Sequence, residues 1–286
     1  MRWTPGNRGN VEDMRGAGGG GIGMVPLGIG GFILVALLSM FTGVNFFALL
    51  GGGGAGTTTG TSAPVNASPE EQRLVDMVDN VAEDVQDTWA QLLGGRYEKT
   101  KVVLFRDQIQ SACGFAQSAT GPFYCPNDHK VYLDLGFFDE LQRRFGAPGD
   151  FAQAYVLAHE FGHHVQMLTG IESRMRQAVR ADPSEANPMS VRLELQAHCF
   201  AGVWGHAASQ PGRAAQGKVE LDPGDTEEGL RAAAAIGDDR LQKMATGRVM
   251  PEKFTHGTSQ QRVAWFKTGL DSGDPNACNT FADTGR

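Results

Sequence analysis

The segment Tyr155-Val156-Leu157-Ala158-His159-Glu160-Phe161-Gly162-His163-His164 sets two histidines four residues apart, with a glutamate directly after the first. On a helix, positions four apart differ by about 40° around the axis, so both imidazoles leave one face about 6 Å apart. That spacing suits two bonds of about 2.0–2.1 Å to a single Zn²⁺. Glu160 then stands beside the open coordination position, where it accepts a proton from zinc-bound water. The preceding residues, Asp150 to Ala158, carry the apolar periodicity of a buried helix, and Gly170 stops it. Polar groups in such a run are costly without partners, and a metal supplies one.

A catalytic zinc needs a third protein ligand. The metzincin pattern requires Gly at 166 and His at 169, where this chain has Gln166 and Thr169. A carboxylate from a second helix is the alternative. Glu194 lies in Arg192-Leu193-Glu194-Leu195-Gln196-Ala197-His198, a helical, apolar setting that suggests burial. His256 is either a donor to a developing oxyanion or a cap for the helix after it. Tyr155 shares a face with His159, although apolar packing explains it equally, and His164 reads as a supporting or core histidine.

The elements that must hold these residues form an α+β domain, mostly helical with a small sheet. A first helix is expected over Pro69 to Leu93, opened by Ser68 as cap and Pro69 in the first turn, and closed by Gly94-Gly95. Short strands follow at Lys101 to Phe105, Phe123 to Cys125 and Val131 to Leu135, the last a candidate edge strand for an extended peptide. Helices are expected over Phe137 to Phe145, Asp150 to Leu168, Met189 to Ala208, Thr226 to Met244 and Ser259 to Leu270.

Ahead of that domain, no Asp, Glu, Lys or Arg occurs from Gly16 to Pro69. Within this window the apolar run from Met24 to Leu50 is long enough to span a bilayer core of about 30 Å at about 1.5 Å per residue. It is too long for a signal-peptide core and ends in no good cleavage site. Arg2, Arg8 and Arg15 precede it and no basic residue follows until Arg73, so the positive-inside rule puts the N-terminus in the cytoplasm. The expected organisation is a cytoplasmic arm (1–23), a single transmembrane anchor (24–50), a Gly/Thr/Ser-rich linker (51–67) and an extracytoplasmic domain (68–286). The net charge of -7 leaves no basic surplus for nucleic acid.

The four cysteines, 113, 125, 199 and 278, all follow the anchor. An even number in an exported domain suggests disulfides, and no Cys-x-x-Cys pair supports a zinc knuckle instead. Three pairings are possible. Cys113 with Cys125 closes a short loop, and Cys199 with Cys278 staples the C-terminal tail to a helix.

The chain resembles the "putative neutral zinc metallopeptidases", single-pass bacterial membrane proteins with a gluzincin-like site. The resemblance runs through Met1-Arg2-Trp3, Asn10-Val11-Glu12-Asp13, Ser111-Ala112-Cys113-Gly114, Gly121-Pro122-Phe123-Tyr124-Cys125-Pro126 and Val131-Tyr132-Leu133-Asp134. It continues through His159-Glu160-Phe161-Gly162-His163-His164-Val165-Gln166, Glu194-Leu195-Gln196-Ala197, Cys199-Phe200-Ala201-Gly202-Val203-Trp204 and His256-Gly257-Thr258-Ser259-Gln260-Gln261-Arg262. It implies a zincin-like, membrane-anchored peptidase, with one Zn²⁺ per chain and peptide or protein as substrate. One residue departs from the pattern: His198 stands where the family has Asp. That acid accepts a hydrogen bond from the first zinc histidine. A neutral His198 can accept the same bond, bind zinc itself, or mark weakened activity. The rival function is therefore a non-catalytic domain that binds peptide or envelope material.

Overall fold

A computed structural model describes residues 1–16, 65, 67–118 and 121–282. Helix α1 (Pro69–Leu93) starts as its residues require: Ser68 accepts a hydrogen bond from the Glu71 N–H, Pro69 occupies the first turn, and Gly94 ends the helix at φ 59°. A four-stranded sheet follows from β1 (Val11–Asp13), β2 (Val102–Phe105), β5 (Phe123–Cys125) and β6 (Lys130–Asp134), in the order β1-β2-β6-β5. β1 and β6 flank β2 in parallel, and β5 runs antiparallel to β6. The wholly buried Val102-Val103-Leu104-Phe105 reads as a central strand covered on both faces. Strands β3 (Gln108–Ser111) and β4 (Gly114–Gln117) make a separate hairpin.

Seven further helices complete the described domain: α2 (Gly136–Arg143), α3 (Asp150–Leu168), α4 (Ile171–Ala181), α5 (Ala186–Ala208), α6 (Asp225–Ala235), α7 (Asp238–Thr246) and α8 (Ser259–Ser272). The fold is thus α+β and helix-dominated, with two small sheets. α3 is buried along almost its whole length, because neighbours cover every face. α5 and α8 meet backbone to backbone. A Cβ added at Gly202 would lie 2.1 Å from the Phe266 carbonyl oxygen, and one at Gly269 would lie 1.9 Å from that of Cys199. Both expected disulfide pairs form, Cys113–Cys125 and Cys199–Cys278.

Several expectations need correction. The helix expected over Thr226 to Met244 is two, α6 and α7, broken at Gly237, where an added Cβ would lie 2.3 Å from the Ser259 nitrogen. Val131 to Leu135 is no edge: β6 lies between β2 and β5, and β5 and β1 are the edge strands among the described residues. The N-terminal residues are not an arm apart from the domain. Val11, Glu12 and Asp13 pair with Val102, Val103 and Leu104, since an exposed sheet edge is satisfied by a further strand. Among the described residues no helix is long and apolar enough to cross a membrane, and the run Met24–Leu50 lies outside them.

The helix contact yields a test. Gly202→Ala or Gly269→Ala should destabilise the protein by about 1–3 kcal/mol or more, because backbone, not a movable side chain, occupies the space. Gly95→Ala, with nothing within 4 Å of the added carbon, should stay within about 0.5 kcal/mol of the parent in denaturant unfolding.

Candidate metal centre

His159 and His163 leave one face of α3, and Glu194 projects from the facing α5. One ligand atom from each of the three lies within 4.8 Å of the other two. His159 Nε2 is 3.3 Å from Glu194 Oε2, and His163 Nε2 is 3.4 Å from Glu194 Oε1. Bonds of about 2.0–2.1 Å at tetrahedral angles put neighbouring ligand atoms about 3.3–3.4 Å apart, the separation of each imidazole from its Glu194 oxygen, and a two-histidine, one-carboxylate donor set suits Zn²⁺. Burial drives His159 down to a pKa of about 4, which keeps its imidazole neutral, the form that binds metal. Burial opposes the charge of Glu194, but His163 and His256 nearby hold its carboxyl below the usual range.

Glu160 is buried beside this cluster and is not one of its three members. Burial lifts its pKa to about 7, aided by the Glu194 charge and opposed by His163 and by a backbone hydrogen bond from Tyr124. Tyr124 is the middle residue of edge strand β5, whose Cys125 is tied by disulfide to Cys113 between β3 and β4. The carboxylate thus sits between a metal-binding face and a fixed strand.

The supporting side chains differ between the two histidines. His163 Nδ1 is 2.9 Å from Gln166 Oε1, which fixes the proton on Nδ1 and leaves Nε2 for a metal. Gln166 in turn donates to the Leu193 carbonyl at 2.7 Å and to Gln196 Oε1 at 3.1 Å. Gln196 donates to the Cys278 carbonyl at 2.9 Å. His159 Nδ1 has no such partner among the described residues.

His198 is fully buried and stacks on His159 at 4.1 Å between ring centroids. Its Nδ1 pairs with the Tyr155 hydroxyl at 2.5 Å, while its Nε2 has no partner among the described residues. Burial and the adjacent histidines keep it neutral, its pKa well below the ordinary value. It makes neither the hydrogen bond expected from His159 nor a fourth member of the ligand cluster.

His256 lies on the loop before α8, and it does not cap that helix: Thr258 does, in a capping box with Gln261. Asp238, at the start of α7, accepts backbone N–H bonds from Thr255, His256 and Gly257, and its Oδ1 lies 3.3 Å from His256 Nδ1. Burial disfavours the His256 cation, but Glu194 and Asp238 outweigh it and raise its pKa. Arg262 is buried, donates to the His256 and Ile236 carbonyls, and brings Nη2 within 4.0 Å of Glu194 Oε2. His164 is a core histidine: Nε2 donates to the Glu98 carbonyl at 2.7 Å, and Nδ1 takes the Tyr124 hydroxyl at 3.0 Å.

Sequence reasoning missed Gln166, Gln196, Asp238 and Arg262. Gln166 was within reach, because three residues beyond His163 on a helix is the same face. Asp238 and Arg262 carry no such local signal, since chain folding alone brings them to the site.

A family model described as "Putative neutral zinc metallopeptidase" matches residues 1–281. The uncharacterised protein YpfJ of Escherichia coli (strain K12) is 48% identical over 294 residues, which cover 98% of this chain and 99% of that protein. The uncharacterised protein Rv2575 of Mycobacterium tuberculosis is 46% identical over 202 residues, covering 69% of this chain and 67% of the relative. No solved structure shows significant similarity. With the match running from the first strand through the ligand helices to the C-terminal disulfide, the chain belongs to the "putative neutral zinc metallopeptidase" family.

Proposed function

We propose that this protein is a zinc-dependent peptidase of zincin-like architecture, holding one Zn²⁺ per chain through His159, His163 and Glu194. The observation that carries the reading is the gathering of one ligand atom from each of His159, His163 and Glu194 within 4.8 Å, with a Glu194 oxygen facing each imidazole at 3.3 and 3.4 Å. Zinc bound there supplies a Lewis acid that polarises a scissile carbonyl and makes water more acidic.

The chain's own residues do the rest. Glu160, with a proton affinity near neutrality, takes the proton of the attacking water and returns it to the leaving nitrogen. His256, oriented by Asp238, offers a hydrogen bond to the oxygen that becomes negative. Edge strand β5 gives an extended peptide a backbone to pair with beside Glu160. The run Met24–Leu50 anchors the chain in the membrane, and the disulfides favour an oxidising, extracytoplasmic side for the domain.

A second reading, a domain that binds peptide or envelope material without cleaving it, draws on His159 Nδ1, which has no partner among the described residues. Glu160 weighs against it, since a binding scaffold has no use for a buried base of this proton affinity.

Zinc content and peptide hydrolysis, measured together, separate the two. Glu160→Gln should keep wild-type zinc and lose about 10²–10⁴-fold in rate, as removal of a general base does. Glu194→Gln should lose zinc along with activity, a neutral amide being a poor ligand for a dication. A zinc-loaded wild type that cleaves nothing across a broad peptide library would hand the lead to the binding reading.

The outer hydrogen bonds make a separate expectation. Gln166→Leu leaves His163 Nδ1 without an acceptor and should weaken zinc affinity about 10–100-fold. Competition with a chromogenic chelator measures it, and unchanged affinity would remove Gln166 from the site.

A further inference from the structure

The first sixteen residues are built into the domain. Beyond the pairing of β1 with β2, the Asp79 carboxylate of α1 accepts the N–H groups of Arg8 and Asn10, both at 2.8 Å. Gln86 joins the Asn10 side chain to the Thr100 backbone. The three arginines that would hold the N-terminus in the cytoplasm are all engaged by carboxylates: Arg2 by Glu220 and Asp222, Arg8 by Asp76, and Arg15 by Asp13 and Glu71.

The charged residues that flank the uncharged stretch also meet. Arg15, its side chain 1% exposed, lies 2.6 Å from Glu71 in the first turn of α1. A single crossing between Gly16 and Ser68 would part these groups by a hydrocarbon layer about 30 Å thick. Ladder hydrogen bonds and buried ion pairs cannot form across that distance.

We propose that residues 1–16 and 68–282 stand on the same side of the membrane. The face bearing Arg15, Glu71 and the start of α1 then lies nearest the bilayer. This rests on reading Met24–Leu50 as a membrane segment, and it replaces the single-pass arrangement with a cytoplasmic N-terminus.

The test uses the full chain with one added thiol, Thr4→Cys or Lys243→Cys, both at exposed positions. The four native cysteines are paired, so the added thiol is the reactive one. A membrane-impermeant maleimide is applied to spheroplasts of a bacterial host, before and after lysis, and sedimentation after alkaline washing is followed in parallel. The expected result is that both positions label to the same extent before lysis, or that both label only after it. Labelling of one position before lysis and of the other only after it overturns the proposal while leaving the anchor in place. A chain washed from the membrane overturns the anchor, and the proposal with it.

Discussion

Gly162 stands between the two histidines of α3, and its lack of a side chain lets the facing helix come close. A Cβ there would lie 3.0 Å from the Ala197 carbonyl oxygen and 3.1 Å from its Cα. Glu194, one turn before Ala197, is thereby carried against both imidazoles. The same device recurs behind α5, where Gly202 and Gly269 admit α8 at backbone contact. α5 is thus held between two helices, tightly at Gly162 and with no room for an added carbon at Gly202 and Gly269, and a shift of either neighbour would open the ligand set. Metal-site geometry requires placement finer than side-chain rearrangement alone provides, and here backbone contact supplies it.

Around that frame, polar groups taken out of water are answered mainly by amides and carbonyls. Gln166 and Gln196 pass hydrogen bonds outward from His163 without adding charge to a crowded site. Asp238 and Arg262 bring charge, each anchored to several backbone groups of neighbouring segments. Such anchoring offsets part of the cost of burying ions. The His159 side is built differently: Tyr155 is hydrogen-bonded to His198, and His198 meets His159 by ring stacking where His163 has a hydrogen bond.

The helices were legible where local chemistry specifies them. Ser68-Pro69-Glu70-Glu71 opens α1 and Gly94 closes it, and α3 spans the expected residues because its apolar character is continuous. The hairpin of β3 and β4 was not foreseen, since Gln108-Ile109-Gln110-Ser111 lacks the apolar alternation of a half-buried strand. Strand β1 was hidden for another reason: three residues gain strand character only from a partner about ninety positions away. Likewise α6 and α7 read as one helix, because the crowding that breaks them at Gly237 comes from Ser259 and not from any neighbour in sequence. In the candidate site, motif spacing and helical periodicity carry His159, Glu160, His163 and Glu194, whereas the loop that brings His256 over Asp238 is a product of tertiary packing.

The disulfide between Cys199 and Cys278 closes a span of 79 residues, and the Cys278 carbonyl is the last acceptor of the hydrogen-bond series that begins at His163. Opening that bond removes the covalent tie between the tail and α5 and leaves the acceptor of Gln196 held by hydrogen bonds and packing alone, the Thr280 hydroxyl on the Arg192 carbonyl among them. Thermodynamic linkage then works in both directions: what stabilises the closed disulfide tightens the ligand set, and an occupied ligand set makes the disulfide harder to reduce. For any ion held by that set, thiol chemistry and metal retention would be one coupled property of the chain.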